Sequence, residues 1–335
     1  MGRSTNRWHD SVIDLHAHYL PPTLLTWAEE GHLPARLRRD GRILEFPSGP
    51  SRPVPPPLMD LPDRTRWMAE REIDLQVLSP WMDVAGDDLP GSDARRWCTA
   101  MNDATALDLD GRSRFRALAA LPVTDGDLAA AELRRCVERL GFVGGAIPTQ
   151  IDGRDLDEVG LEPLWEAAES LGVLIFIHPH RVMGGDRMKV HFLGNVCGNP
   201  FETTLAAMRL YFSGVVTRWP GLRILLAHGG GTLPYLAGRA VHASRHAPGF
   251  DWAVEHPDSI LQCFYYDTLL HDPRALAFMI ESVGPDRIAA GTDAPFPMSL
   301  DSPLPFIERA CRQAGLGSDS RLRILRGTAE ELLSG

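Results

Sequence analysis

The sequence predicts an α/β fold, a (β/α)8 barrel of the TIM type, and three observations predict it. Short, almost uninterrupted apolar runs recur eight times along the chain. Stretches with helical periodicity lie between them. Histidines and an aspartate, residues able to hold a metal or move a proton, stand at the ends of several of these runs.

The runs are Val12 to His18, Leu75 to Pro80, Phe115 to Pro122, Val143 to Thr149, Val173 to His180, Arg223 to Gly230, Leu261 to Thr268 and Ile288 to Pro295. Near-continuous apolarity is expected of parallel strands covered on both faces. Between the runs, Asp127 to Leu140 places Leu128, Ala131, Leu133, Val137 and Leu140 on roughly one helical face. Leu161 to Leu171 repeats the pattern. Eight strands alternating with helices argue for a closed barrel, with a doubly wound open sheet as the other α/β arrangement. The 335 residues fit one barrel domain spanning 1–335. One segment breaks the rhythm. Residues 21–63 contain Pro47, Pro50, Pro53, Pro55, Pro56 and Pro57. That density excludes regular helix and central strand. The segment reads as a loop or small subdomain over the mouth of the barrel, followed by a helix over Arg64 to Arg71.

Composition narrows the class. The net charge of -10 disfavours nucleic-acid and anionic-membrane binding. The basic residues are almost all arginine, with Lys189 the single lysine. The five cysteines are scattered, without a C-x-x-C pair, and read as reduced thiols. No run approaches the ~18 apolar residues of a membrane span. Met1 to Asp10 is polar and shows no apolar core of a secretory signal. A cytoplasmic location is the expectation.

His16-Ala17-His18 ends the first run. Residues i and i+2 of a strand point to one side, so both imidazoles can reach one ion. A lone H-x-H is weak evidence. Here His178 and His180 end the fifth run, His228 the sixth and Asp293 the eighth. All strand carboxyl ends of a barrel open on one face, so these side chains converge. Three imidazoles and a carboxylate, His16, His18, His178 and Asp293, suit Zn²⁺, and Mn²⁺ or Fe²⁺ also fit. Many barrel hydrolases bridge two metals with a carboxylated lysine on the fourth strand. Val143 to Thr149 holds neither lysine nor glutamate, which points to one metal. His228 lies in a glycine-rich turn, Ala227 to Gly231, and reads as an acid–base group beside the metal. The glycines allow close backbone approach but do not form a phosphate loop.

Three motifs carry a resemblance: Ile13-Asp14-Leu15-His16-Ala17-His18, Ala227-His228-Gly229-Gly230-Gly231 with Gly238-Arg239, and Gly291-Thr292-Asp293-Ala294-Pro295-Phe296-Pro297. With Met183 to Lys189 and Pro200 to Thr203, they resemble the amidohydrolase-2 family of the amidohydrolase superfamily, over nearly the whole chain. The resemblance implies a metal-dependent decarboxylase with His16, His18, His178 and Asp293 as ligands. It implies His228 as the catalytic histidine, with Asp293 able to join proton transfer. It further implies that Arg52 binds a substrate carboxylate. Arg239 would do so from the neighbouring subunit of a homodimer. A guanidinium pairs a carboxylate bidentately and stays charged. Three positions depart from the pattern. His180 and Arg181 follow His178-Pro179 where a Trp and an Asp are expected, and His191 stands where a Trp is expected. His180 and His191 are therefore candidate substrate contacts. Glu202 and Asp267 are candidates behind the ligands.

The leading reading is non-oxidative decarboxylation of an unsaturated or aromatic carboxylic acid. The alternative uses the same site for hydrolysis, hydration or dehydrative ring closure. The change in substrate mass separates them. A non-catalytic metal-binding protein is a third class, which metal analysis and activity on added ion would test.

Overall fold

The computed structural model describes residues 11–38, 43–46, 52–248, 250 and 257–334. Eight parallel strands follow the eight apolar runs. They are β1 (Val12–Tyr19), β2 (Ile73–Pro80), β3 (Phe115–Ala117 continuing as Ala119–Ala120), β4 (Gly144–Pro148), β5 (Leu174–His178), β6 (Arg223–Leu226), β7 (Tyr265–Asp267) and β8 (Ile288–Ala289). Each is followed by a main helix: α1 (Leu61–Glu70), α2 (Gly91–Leu109), α3 (Gly126–Leu140), α4 (Glu162–Leu171), α5 (Asn199–Phe212), α6 (Leu233–His246), α7 (Pro273–Val283) and α8 (Pro303–Gln313).

The first half of β3 pairs with β2, which pairs with β1. Its second half begins an uninterrupted ladder from β4 to β8. The two ladders meet at both seams. Leu118 N donates to Leu78 O at 2.9 Å, and Val143 N to Ala117 O at 3.0 Å. On the other side Leu15 N donates to Ala290 O at 2.9 Å and His18 N to Ala294 O at 2.8 Å, with a parallel bridge between Ala17 and Ala294. The order β1 to β8 and back to β1 is the (β/α)8 barrel, not the open sheet.

Strand parity divides the core. Leu15, Val77, Leu118, Ala146, Phe176, Leu225 and Ala289 pack together with Ala329 and Leu332 of the last helix. Ile147, Ile175, Ile177, Ile224 and Leu226 pack instead with helix residues such as Leu133, Trp165 and Leu210. Helix starts follow local chemistry. Asp60 caps α1 by accepting from Asp63 N at 2.8 Å, and Asp125 caps α3 by accepting from Leu128 N at 3.0 Å. No described helix is long and apolar enough to cross a membrane.

The 21–63 segment is more regular than its proline content suggested. It begins with a helix, Pro22–Glu29, whose proline occupies the first turn, where no intrahelical N–H is needed. Arg36–Leu37, Ile43–Glu45 and Arg52–Pro53 form a small antiparallel sheet with Pro53 on an edge strand. Pro47 and Pro50 lie outside the described residues. The helix at its end starts at Leu61, three residues before the predicted Arg64. Leu24, Leu44, Val54 and Leu58 share a separate apolar cluster with Trp81, Val84 and Trp97 and with Phe296 at its edge. The described part of the segment packs on the loop after β2.

Candidate metal centre

His16 and His18 leave β1 from a stretch with a register shift between Asp14 and Ala17. Such a bulge re-aims side chains beside a site. His178 is the last residue of β5, and Asp293 follows β8. The four side chains are buried, and one donor atom from each lies within 4.8 Å of the others. His16 Nε2 and His18 Nε2 approach to 3.2 Å. Asp293 Oδ1 stands 3.3 Å from the first and 3.1 Å from the second. A tetrahedral ion with ligand distances of about 2.0–2.1 Å has donor–donor edges of about 3.3–3.4 Å.

Partner bonds support the same reading. Both ring nitrogens of His178 and Asp293 Oδ1 are buried without a hydrogen-bond partner. Orphaned buried polar atoms are rare and need a cause. A divalent cation among these four groups accounts for Asp293 Oδ1 and for one of the two His178 nitrogens. Burial holds His178 well below the ordinary histidine value and lowers His18, leaving neutral rings with free lone pairs. Burial also opposes charge on His16, but Asp293 and Asp267 outweigh it and push that group up to about 10. The two carboxylates favour positive charge at this point. Burial raises the energy of ionised Asp293 as well. Its neighbours His16 and His18 overcome this and hold it well below the usual carboxylate range.

His228 lies beside the cluster, its ring centroid 5.0 Å from that of His178 and 5.4 Å from that of His16. It is outside the four-group donor set. Burial, then the nearby His16, lower it to about 4, so the imidazole is neutral at physiological pH. His228 and Asp293 both adopt left-handed backbone, with φ of 56° and 59°. Each costs of order 1 kcal/mol and needs surrounding bonds to hold it. For His228 those bonds come from Asp267, which accepts from His228 N at 2.9 Å and Gly229 N at 2.7 Å.

Of the four candidate ligands, His18, His178 and Asp293 lie with His228 on the floor of a cavity of about 350 Å³. Its walls are mostly apolar: Trp81, Met82, Val182, Phe192, Phe296 and Met298, with Asp83, His180, Asn195 and Asn199 as polar groups. His180 is nearly buried, and its Nε2 lies 3.1 Å from Asp87 Oδ2. Arg181 is 3.6 Å from Asp87 and 3.3 Å from Asp88. His191 does not line this cavity. Its side chain is exposed, and the next residue, Phe192, forms the wall instead. Arg52 donates from Nε to the carbonyl of Asp83, a lining residue, at 2.9 Å. Arg239 is exposed on α6 and does not line this chain's own cavity. Glu202 accepts from Met183 N at 2.7 Å and so pins the turn after His180.

Behind β1 lies a buried network the sequence did not make evident. Asp14 accepts from Gln76 Nε2 at 2.7 Å and Thr292 Oγ1 at 2.5 Å. Arg64 reaches Gln76 Oε1 at 2.9 Å and His18 O at 3.1 Å. Gln76 interrupts an apolar run, which was a visible signal. Its partners were not.

Fold and site together define the class, a (β/α)8 barrel enzyme with a divalent-metal centre at the carboxyl ends of its strands. The amidohydrolase family model matches residues 13–334, and the chain belongs to that family. It is 33% identical to 2-amino-3-carboxymuconate-6-semialdehyde decarboxylase of Dictyostelium discoideum, covering 88% of this chain and 85% of that one. It is 32% identical to gamma-resorcylate decarboxylase of Polaromonas sp. strain JS666, over 71% and 78%. A solved dihydroxybenzoic acid decarboxylase from Polaromonas sp. JS666, with bound manganese and the inhibitor 2-nitroresorcinol, superposes with a TM-score of 0.77. It shares 27% identity and covers 97% of both chains.

Proposed function

We propose that this protein is a metal-dependent non-oxidative decarboxylase, a carbon–carbon lyase acting on an unsaturated or aromatic carboxylic acid. The observation that carries the reading is a one-metal donor set with a neutral histidine left over, at the floor of an aromatic-walled cavity. Relatives named as decarboxylases support it. A divalent ion held by His16, His18, His178 and Asp293 supplies positive charge that draws electron density from the substrate. Trp81, Phe192 and Phe296 suit a flat, conjugated body and exclude water. The bond to the carboxyl carbon breaks, its electron pair stays on the substrate, and a proton replaces CO₂. His228 is placed to move that proton. Being neutral, it first takes one, from an acidic group of the substrate or from water, and then returns it to carbon. Asp293 faces the same cavity and is the second group placed for proton transfer.

Arg52, tied to Asp83 beside the cavity, serves the substrate carboxylate in this reading, and His180 is the polar contact on the β5 side. Three imidazoles and a carboxylate favour Zn²⁺, with Mn²⁺ as the alternative ion. The working unit is a homodimer in which Arg239 reaches the neighbouring site. Its support is an exposed apolar surface: Val190, Val196, Phe201 and Leu205 along the β5–α5 region, and Tyr235 one turn before Arg239 on α6. The five unpaired cysteines fit a reducing cytoplasm.

The test is CO₂ release from a panel of hydroxybenzoates and unsaturated diacids. His228→Ala is expected to lower kcat by about 10²- to 10⁴-fold with metal content unchanged. Full turnover in that variant would remove His228 from the mechanism. A gain or loss of water without CO₂ would replace decarboxylation with hydrolysis, hydration or cyclisation.

A further inference from the structure

Asp267 ends β7 and is wholly buried. Its carboxylate receives four donors. Oδ2 accepts from His16 Nδ1 at 2.5 Å and from His228 N at 2.9 Å. Oδ1 accepts from Gly229 N at 2.7 Å and from Leu269 N at 3.0 Å. One oxygen is therefore shared between a metal ligand and the backbone of the acid–base histidine.

The strand order makes this contact unusual. β8 lies between β7 and β1, so Asp267 and His16 belong to strands that are not neighbours. They meet across Gly291. A Cβ at that position would sit 2.8 Å from Asp267 Cβ and 2.9 Å from His16 Cβ. The absence of a side chain at 291 is the aperture through which the two groups touch.

We propose that Asp267 is a positioning residue that couples metal ligation by His16 to the placement of His228. By accepting from Nδ1 it fixes the His16 tautomer and leaves the Nε2 lone pair for the ion. By accepting two successive backbone N–H groups it holds the left-handed turn at His228 and Gly229. A movement of the carboxylate displaces both. The inference rests on the metal reading of the site and not on the reaction assigned to it.

Asp267→Asn keeps the shape but offers one acceptor oxygen where four donors are satisfied now. The expected result, with Zn²⁺ as the probe, is a loss of about 10- to 100-fold in metal affinity. At saturating metal a deficit in kcat should persist, with KM changed less, because His228 is also displaced. Unchanged affinity, or kcat fully restored by excess metal, would overturn the coupling. If the variant folds poorly, Zn²⁺-loaded wild-type protein labelled with [¹⁵N]histidine decides. A ring proton on His16 Nδ1 and a His228 amide protected from exchange sustain the proposal. A ring proton on His16 Nε2, or a freely exchanging His228 amide, overturns it. Metal affinity and ring protonation need no substrate, so a failed CO₂ assay leaves this inference standing and the reverse also holds.

Discussion

His178 shows what burial does to a candidate ligand. Both ring nitrogens are buried and unpartnered, and the surrounding histidines add to burial in disfavouring a charge on the ring. Such a group contributes little to stability by itself and is matched to an electron-pair acceptor. Replacing His178 with Ala removes one of four donors. The loss in metal affinity should exceed the about 10- to 100-fold typical of losing an outer partner. Metal analysis after dialysis checks it, and stoichiometric metal in the variant would remove His178 from the ligand set. Chelation of the wild-type protein should abolish turnover. Re-addition of Zn²⁺ and Mn²⁺ in separate samples then ranks the two ions by the activity each restores.

At the level of elements, the site is made by strand ends that come within reach of each other across a closed sheet. The segment following β8 carries Asp293, but it also has to let its neighbours through at Gly291. Gly231 shows a similar constraint, since a Cβ there would lie 1.9 Å from Pro200 O at the start of α5. Gly291→Ala is expected to cost about 1–3 kcal/mol through overpacking. It should also lower metal occupancy by pushing Asp267 away from His16. Thermal denaturation and metal analysis measure the two effects. A variant with wild-type Tm and full metal content would show that the crossing is not tight. The Asp14–Gln76–Arg64 network acts on the other side of β1, where Arg64 holds the His18 carbonyl and Asp14 ties β1 to Thr292.

At the level of the whole molecule, Val190, Val196, Phe201 and Leu205 around the β5–α5 region, and Tyr235 and Arg239 on α6, are exposed. A second copy covering these residues would bury the apolar ones and bring Arg239 near a neighbouring cavity. Arg239→Ala and His228→Ala proteins should then each be inactive alone and regain activity when subunits are exchanged. The hybrid holds one site with both residues intact. Sedimentation at several concentrations gives the assembly state. A monomer at working concentrations, or no recovery on mixing, would exclude the shared site.

The periodicity of the sequence determined the eight-stranded barrel, because parallel strands covered on both faces leave continuous apolar runs that neither loops nor amphipathic helices imitate. The clustering of the candidate donors His16, His18, His178 and Asp293 beside His228 was legible for a related reason. Polar residues at the ends of buried strands have few structural uses. The family motifs, and not spacing, drew attention to Arg52 and Arg239, since one arginine among 33 has no distinguishing pattern. The regular helix inside 21–63 was missed because proline at a first helical turn looks in sequence like a helix breaker. His191 was expected at the cavity, but a pair of left-handed residues, His191 and Phe192, turns the chain so that Phe192 forms the wall. Tertiary structure alone decided that Asp267 joins His16 to His228 and that Gly291 permits it. Those contacts depend on ring closure, which brings residues 251 positions apart to within a hydrogen bond. No local pattern in the chain encodes which strand ends will meet across a closed sheet.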